Sequence, residues 1–232
     1  MLPFFKDTKA IAFDADDTLW ENENFFRESE QVYYSLMKEY ASVELLEKSL
    51  FKTEIGHLSL YGYGIKSFIL SMIESALEIS NHQVSPEIIS QIIALGKKML
   101  QHPVRLLANV EETLQYFKSK HIKLILATKG DLIDQERKLR ESGLAHYFDQ
   151  IEIMSDKKDA DYLRFLKELN IKPSNFIMIG NSLKSDVMPV IKIGGKAIHI
   201  PYHTTWVHEE AQNISFDADR FMEIESLIEL YL

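Results

Sequence analysis

The apolar positions along this chain change their period twice. Ile11-Ala12-Phe13 is a short continuous apolar run, carried on to Ala15, and reads as a buried strand. From Asn24 to Tyr40 the period becomes helical: Phe25, Phe26, Val32, Tyr33, Leu36, Met37 and Tyr40 recur mainly at spacings of three, four and seven. Leu45, Leu46, Leu50 and Phe51 predict a second helix. Tyr61-Gly62-Tyr63-Gly64 breaks the pattern, and Ile65 to Ile79 then predicts a long, largely apolar helix. Ser85-Pro86-Glu87 marks another start, with Ser at the cap and Pro at the first helical position, where a missing N–H costs nothing. That helix carries Ile88, Ile89, Ile92, Ile93 and Leu95 and has to stop before Pro103. Residues from about 22 to about 104 are therefore expected to be all-helical.

After Pro103 strands and helices alternate. Asn109-Val110-Glu111-Glu112 has the form of a capping box that opens a helix carrying Leu114 and Phe117. Ile122 to Ala127 predicts a strand ending in Thr128-Lys129-Gly130, and a charged helix follows from about Asp131 to Ser142, closed by Gly143. Then come a strand over Gln150 to Met154, a helix over Asp159 to Leu169 and a strand over Phe176 to Ile179. A short helix over Asp186 to Ile193, a strand over Lys196 to Ile200 and a terminal helix over 223–231 complete the reading. This alternation predicts an α/β fold with a parallel sheet, and it makes the helical stretch an insertion after the first strand. The expected division is a core of residues 1–21 and 105–232, with a helical domain over 22–104.

The bulk properties narrow the function. A chain of 232 residues fits one large domain or a domain with an insertion. The formal net charge of −9 argues against a nucleic acid polymer as partner, which would need a basic surface. With no cysteine, there are no disulfides, thiol nucleophiles or Cys-based zinc sites. The opening Met1-Leu2-Pro3-Phe4-Phe5-Lys6-Asp7 lacks the form of a signal peptide, and no apolar run is long enough for a bilayer. A soluble, cytoplasmic protein without a membrane partner is the expectation; oligomeric state cannot be read from these features.

The chemistry concentrates in Asp14-Ala15-Asp16-Asp17-Thr18, directly after the first strand. Two carboxylates two residues apart at a strand end repel each other and are costly to desolvate. A hard divalent cation such as Mg²⁺ removes that cost and commonly brings phosphate with it. In an open parallel sheet, ligands bind outside the carboxyl ends of the strands. The loops to weigh are thus Asp14–Thr18, Thr128–Gly130, Ser155–Lys158 and Gly180–Asp186, each with a group suited to a phosphate or a metal.

Over nearly its whole length the chain resembles the haloacid dehalogenase-type phosphohydrolases. The family's D-x-D-x-T matches Asp14 to Thr18, and its strand-ending Thr or Ser matches Thr128. Its lysine before a helix fits Lys157 or Lys158, with Lys157 preferred as nearer the strand end. Its G-D-x-x-x-x-D matches Gly180-Asn181-Ser182-Leu183-Lys184-Ser185-Asp186. The resemblance implies a Rossmann-like three-layer core with an inserted α-helical cap. It implies a Mg²⁺-dependent phosphatase acting on a small phosphorylated metabolite through an aspartyl-phosphate. Asp14 would be the nucleophile and Asp16 the general acid and base, with Thr128 and Lys157 holding phosphoryl oxygens. The metal would be held among Asp14, Asp16, Asn181 and Asp186. Asn181, where most members carry Asp, brings no charge, so either it or Asp186 could be the direct ligand. Lys129, also unusual for the family, could reach phosphate or substrate. A phosphomutase or another phosphotransferase would share this site. A metal-free dehalogenase would lack the second carboxylate, which Asp16 supplies.

Other features are less pointed. His199, His203 and His208, with Glu209 and Glu210, do not form a helical metal-binding pair, and Pro201 interrupts them, so they read as loop or rim residues. Tyr202 and Trp206 fit either the mouth of a site or a packed loop. Tyr61 and Tyr63 are candidate substrate contacts on a glycine-containing turn, or parts of a plain connector. Met72 and Ile73 read as core. The insert is expected to act as a lid hinged near Trp20–Asn22 and Pro103–Leu107.

Overall fold

The computed structural model describes residues 2–204, 206–209 and 216–231. The chain divides into two compact units. One comprises Met1–Glu23, Val104–Lys129 and Gln135–Leu232; the other comprises Asn24–Pro103 and Gly130–Asp134.

The first unit is built on a six-stranded, wholly parallel sheet. Its strands are β1 (Ala10–Phe13), β2 (Lys123–Lys129), β3 (Gln150–Met154), β4 (Phe176–Gly180), β5 (Lys196–His199) and β6 (Phe221–Glu223), in the order β3-β2-β1-β4-β5-β6. Successive side chains of a strand face opposite ways. Ile11, Phe13, Leu124, Leu126, Ile177 and Ile179 therefore share one core with Val110, Leu114 and Phe117 of helix α5 (Val110–Ser119), numbered in chain order after the four helices of the second unit. Ala10, Ala12, Ile125, Ala127, Phe176 and Met178 share the other. That second core also takes Tyr162, Phe165 and Leu166 of α7 (Asp159–Glu168). The small alanines of β1 on that face leave room for these rings. The short α8 (Met188–Lys192) and α6 (Leu132–Ser142) from Gln135 onward also belong to this unit. Where the chain leaves and re-enters this unit it runs antiparallel to itself: Leu107 N–H donates to Leu19 C=O (2.9 Å) and Glu21 N–H to Arg105 C=O (3.0 Å).

The second unit contains α1 (Glu23–Met37), α2 (Val43–Tyr61), α3 (Ile65–Ile79) and α4 (Pro86–Leu100). Tyr33, Met37, Leu46, Leu50, Phe68, Met72 and Ile92 form its core, and Ile73 packs against it. Ser42 and Ser85 cap α2 and α4 by accepting from the N–H of Leu45 and Ile88. Among the described residues no helix is long and apolar enough to cross a membrane.

Three local expectations are corrected. Asn109 makes no cap: it stands in the left-handed region (φ 62°), so its side chain does not reach the first turn of α5. Asp186 does not start a helix. Ser182 caps a widened turn over Leu183–Val187 by accepting from Ser185 N–H, and Asp186 lies inside that turn. The terminal segment is not one helix: Phe221–Glu223 adds a sixth strand, and only Leu227–Leu230 turns helically, under a Ser226–Glu229 capping box.

Candidate active site

The sheet register brings the implicated loops to one edge. Phe13 pairs with Leu126 on one side and with Ile179 on the other, so Asp14, Thr128 and Asn181 all follow at the carboxyl ends of three adjacent strands. Asp14 N–H donates to Ile179 C=O (2.8 Å), which extends the pairing by one residue and fixes its carboxylate over the sheet centre. Thr128 is buried near the end of β2.

Lys157, from the turn between β3 and α7, is buried, and its ammonium donates to Asp14 Oδ1 and to Asp186 Oδ1, the latter at 2.7 Å. Lys158 is exposed and pairs with Asp156 (3.0 Å). Asp186 Oδ2 accepts from Ser182 N–H (3.0 Å). Thr18 Oγ1 lies 3.4 Å from both Asp14 Oδ2 and Asn181 Oδ1. Burial pushes the Asp14 carboxyl up to about 7, with Lys157 opposing and Asp186 adding to the rise. Burial works against the Lys157 charge, but Asp14 and Asp186 more than offset it and hold the ammonium above its usual range.

Asp16 faces a different set. Its Oδ1 accepts from Trp20 Nε1 (2.6 Å) and Lys138 Nζ (2.6 Å), and its Oδ2 from Lys138 Nζ (2.8 Å) and Gln135 Nε2 (2.8 Å). Lys138 also donates to Asn22 Oδ1 (3.2 Å). Gln135 Nε2 reaches Lys129 C=O as well (3.3 Å). Both partners of that amide nitrogen are acceptors, which fixes the orientation of the amide. Gln135 Oε1 is then left buried with no donor among the described residues, a cost of about 1–3 kcal/mol. Asp17 takes the left-handed conformation (φ 59°) and accepts from Asn22 and Glu23 N–H at the start of α1. Burial, then the neighbouring Asp16, raise its carboxyl to about 8 against these bonds.

Lys129 Nζ is taken up by Glu209 Oε1 (2.5 Å) and Ser185 Oγ (2.8 Å). Glu209 Oε2 accepts from Ser182 Oγ (2.6 Å) and Ser185 Oγ (2.5 Å). The histidines are dispersed: His199 contacts Glu223 and Asn181 C=O, and His208 contacts Lys184. Glu210 lies outside the described residues. Tyr61 is exposed at the end of α2 with its ring edge-on to His57, and Tyr63 is half-buried between Gly62 and Gly64.

Among the described residues no three His, Asp or Glu side chains are grouped to hold a metal, because Asp16 turns to Lys138 while Asp14 and Asp186 share Lys157. The oxygens of Asp14, Asn181 and Asp186 are still a fitting donor set for a hard cation. They converge on Lys157 and Thr18, and they already hold one positive charge among them.

Lys138, Gln135 and Glu209 are absent from the sequence-based list of catalytic and binding residues. Gln135 and Lys138 stand three apart on the charged helix after the Thr128 strand, but their burial and their approach to Asp16 come from tertiary packing, which no local pattern records.

A parallel sheet whose carboxyl edge gathers an Asp, a Thr, a buried Lys and a second Asp defines a hydrolase class. The model of that class, "haloacid dehalogenase-like hydrolase", matches residues 8–194, and the chain belongs to that family. It is similar to the glyceraldehyde 3-phosphate phosphatase of Methanothermobacter thermautotrophicus, at 26% identity over 82% of this chain and 84% of that one. It is similar also to the phosphorylated carbohydrates phosphatase of Thermotoga maritima, at 27% identity over 84% and 86%. A haloacid dehalogenase-like family hydrolase from Xanthomonas campestris superposes with a TM-score of 0.84, at 35% identity, over 96% of this chain and 88% of that one.

Proposed function

We propose that this hydrolase is a Mg²⁺-dependent phosphatase that releases phosphate from a small phosphorylated metabolite through an aspartyl-phosphate. The observation that carries the reading is Lys157 bonded at once to Asp14 and Asp186 at the end of the central strand. The phosphatases named for phosphorylated carbohydrates and glyceraldehyde 3-phosphate support the substrate class. Asp14, Asn181 and Asp186 are the residues that would hold Mg²⁺, which when bound neutralises charge on the phosphoryl group.

Asp14 attacks phosphorus; a P–O bond to its carboxylate forms as the bond to the ester oxygen breaks. Asp16 passes a proton to that departing oxygen. In the second step Asp16 takes the proton back from a water whose oxygen bonds to phosphorus, and the bond to Asp14 breaks. Lys157 and Thr128 hold the phosphoryl oxygens through both steps, as fixed donors suited to charge spread over them. The helical unit, with Tyr61 and Tyr63, is proposed to select the substrate.

The test is phosphate release across sugar phosphates, nucleoside monophosphates and short acid phosphates, with Mg²⁺ and with EDTA. Release with Mg²⁺ and none in the chelator is expected. Full activity in EDTA with negligible bound metal would sink the metal dependence, and transfer to an added alcohol without net phosphate release would make the chain a phosphotransferase.

A further inference from the structure

One carboxylate from outside the implicated loops joins two of them at the carboxyl edge of the sheet. Glu209 lies in the turn Val207–Glu209 after β5, with 11% of its side chain exposed. Its Oε1 accepts from Lys129 Nζ (2.5 Å), and its Oε2 accepts from Ser182 Oγ (2.6 Å) and Ser185 Oγ (2.5 Å). Each serine hydroxyl directs its single proton to Glu209 and accepts in return, Ser182 Oγ from Ser185 N–H (3.0 Å) and Ser185 Oγ from Lys129 Nζ (2.8 Å). These directions are fixed, because an ammonium only donates and an ionised carboxylate only accepts. A second strut runs alongside: Lys184 Nζ donates to His208 C=O (2.9 Å). One oxygen of Glu209 answers Lys129, and the other is given to the turn after β4.

That turn leads directly to the Asp14 site. Ser182 N–H donates to Asp186 Oδ2 (3.0 Å), and Asp186 Oδ1 accepts from Lys157, which also bonds Asp14. A continuous run of hydrogen bonds therefore passes from Glu209 through Ser182 and Asp186 to Lys157 and Asp14. The turn over Leu183–Val187 is a single wide one, closed by Asp186 N–H and Val187 N–H on Ser182 C=O (2.9 and 3.3 Å). One turn of this kind makes few bonds for the residues it fixes, so partners outside it decide where it stands. We infer that Glu209 is a positioning residue: it pins the turn after β4 so that Asp186 stands where, with Asp14 and Asn181, it would hold the divalent cation. Glu209 acts on Asp186 through Ser182 and Ser185. This rests on the proposed phosphatase reading and its Mg²⁺ site.

Calorimetric titration with Mg²⁺ and amide hydrogen exchange, both on the folded protein, test it. In Glu209→Ala the turn loses its outside anchor, so Mg²⁺ is expected to bind about 10-fold more weakly or worse, the scale typical of removing a partner behind a metal ligand. The Ser182 amide, which donates to Asp186, should lose protection in the same variant before any metal is added. Glu209→Gln deletes the same charge but keeps an acceptor for the serines, and should recover most of both. A mere loss of negative charge near the cation would weaken the Ala and Gln variants alike, and that result would overturn the inference. So would unchanged Mg²⁺ affinity in Glu209→Ala, or weakened affinity with the protection of the Ser182 amide intact. If Glu209→Ala does not fold, Ser185→Ala carries the test. It breaks one strut while leaving Glu209 paired with Lys129, and unchanged affinity there refutes the positioning role. Wild-type protein that binds no Mg²⁺ removes the metal reading and the inference with it. Wild type that binds Mg²⁺ no better than Glu209→Ala removes the inference alone.

Discussion

A Cβ on residue 180 would stand 2.2 Å from Asp186 Oδ2 and 2.4 Å from its Cγ. Gly180 ends β4, and the chain then makes the widened turn over Leu183–Val187 that returns Asp186 against that strand end. The absence of a side chain at 180 is what lets the carboxylate reach Lys157 (2.7 Å) and Ser182 N–H (3.0 Å). Gly180→Ala should push Asp186 out of this position, since no Cβ is tolerated at that distance. Phosphate release should fall by about 100-fold or more, while the sheet persists. The checks are steady-state kinetics and far-ultraviolet circular dichroism; a variant with near-normal turnover would show that Asp186 can act from elsewhere.

Lys157 is a single cation between two buried carboxylates. Removing one partner of such a set leaves charge without compensation, typically at a cost of about 3–5 kcal/mol. Lys157→Met should therefore lower the unfolding midpoint strongly in metal-free buffer. The double variant with Asp14→Asn should regain part of the loss, because one of the stranded charges is gone. If the double variant is no more stable than Lys157→Met, charge is not the cause.

Asp14→Asn by itself should abolish turnover, since an amide cannot form the aspartyl-phosphate. It should not lower stability much: burial already opposes the charge of Asp14 and raises its carboxyl to about 7. Kinetics and thermal unfolding on the same preparation test both halves, and a retained rate above about one hundredth of wild type removes Asp14 as nucleophile.

Tyr61 is exposed at the end of α2, and Tyr63 sits between two glycines with positive φ, Gly62 and Gly64. If they contact substrate, replacing each by Ala should reorder a panel of sugar phosphates more than it slows p-nitrophenyl phosphate. Equal losses on every compound would make the turn a connector.

Much of the fold could be read in the chain because it rests on local signals. Ile65–Ile79 is a helix over the same bounds as its apolar run, and Pro86 opens α4 under Ser85 as its sequence dictates. The strand-end rule for parallel sheets singled out the loops that hold Asp14, Thr128, Lys157 and Asp186, and the likeness to the family's motifs picked those residues within them. The misses share a cause. Lys138 meets Asp16 across 122 residues of chain, and Glu209 meets Lys129 across 80, so no local pattern records either pair. Phe221–Glu223 is only three residues long, too short for alternation to separate it from the start of a helix. Asn109 has a capping residue type, but its left-handed backbone aims the side chain elsewhere.

Glu209 offers a test that reads charge directly. It ties Lys129 at the end of β2 to Ser182 and Ser185 in the turn after β4, on either side of the strand that carries Asp14. Burial alone would raise its carboxyl. The Lys129 ammonium, its hydrogen bond and those of the two serines outweigh burial and hold the group at about 2, against 4.5 in an unstructured chain. Between these values the unfolded chain binds the proton more readily than the native one, so unfolding free energy rises with pH across that window. The stabilisation is complete above about pH 5 and is lost as pH falls toward 2. Glu209→Gln removes the titrating group while keeping an acceptor for the serines. The variant should be less stable than wild type by roughly 1–3 kcal/mol at pH 7, the scale of such a shift. That gap should hold from pH 7 to pH 5 and narrow at pH 4 and again at pH 3.5. Urea unfolding at these four values measures it. A gap that stays constant down to pH 3.5 would mean that Glu209 acts by shape and hydrogen bonding, and that its charge against Lys129 contributes nothing.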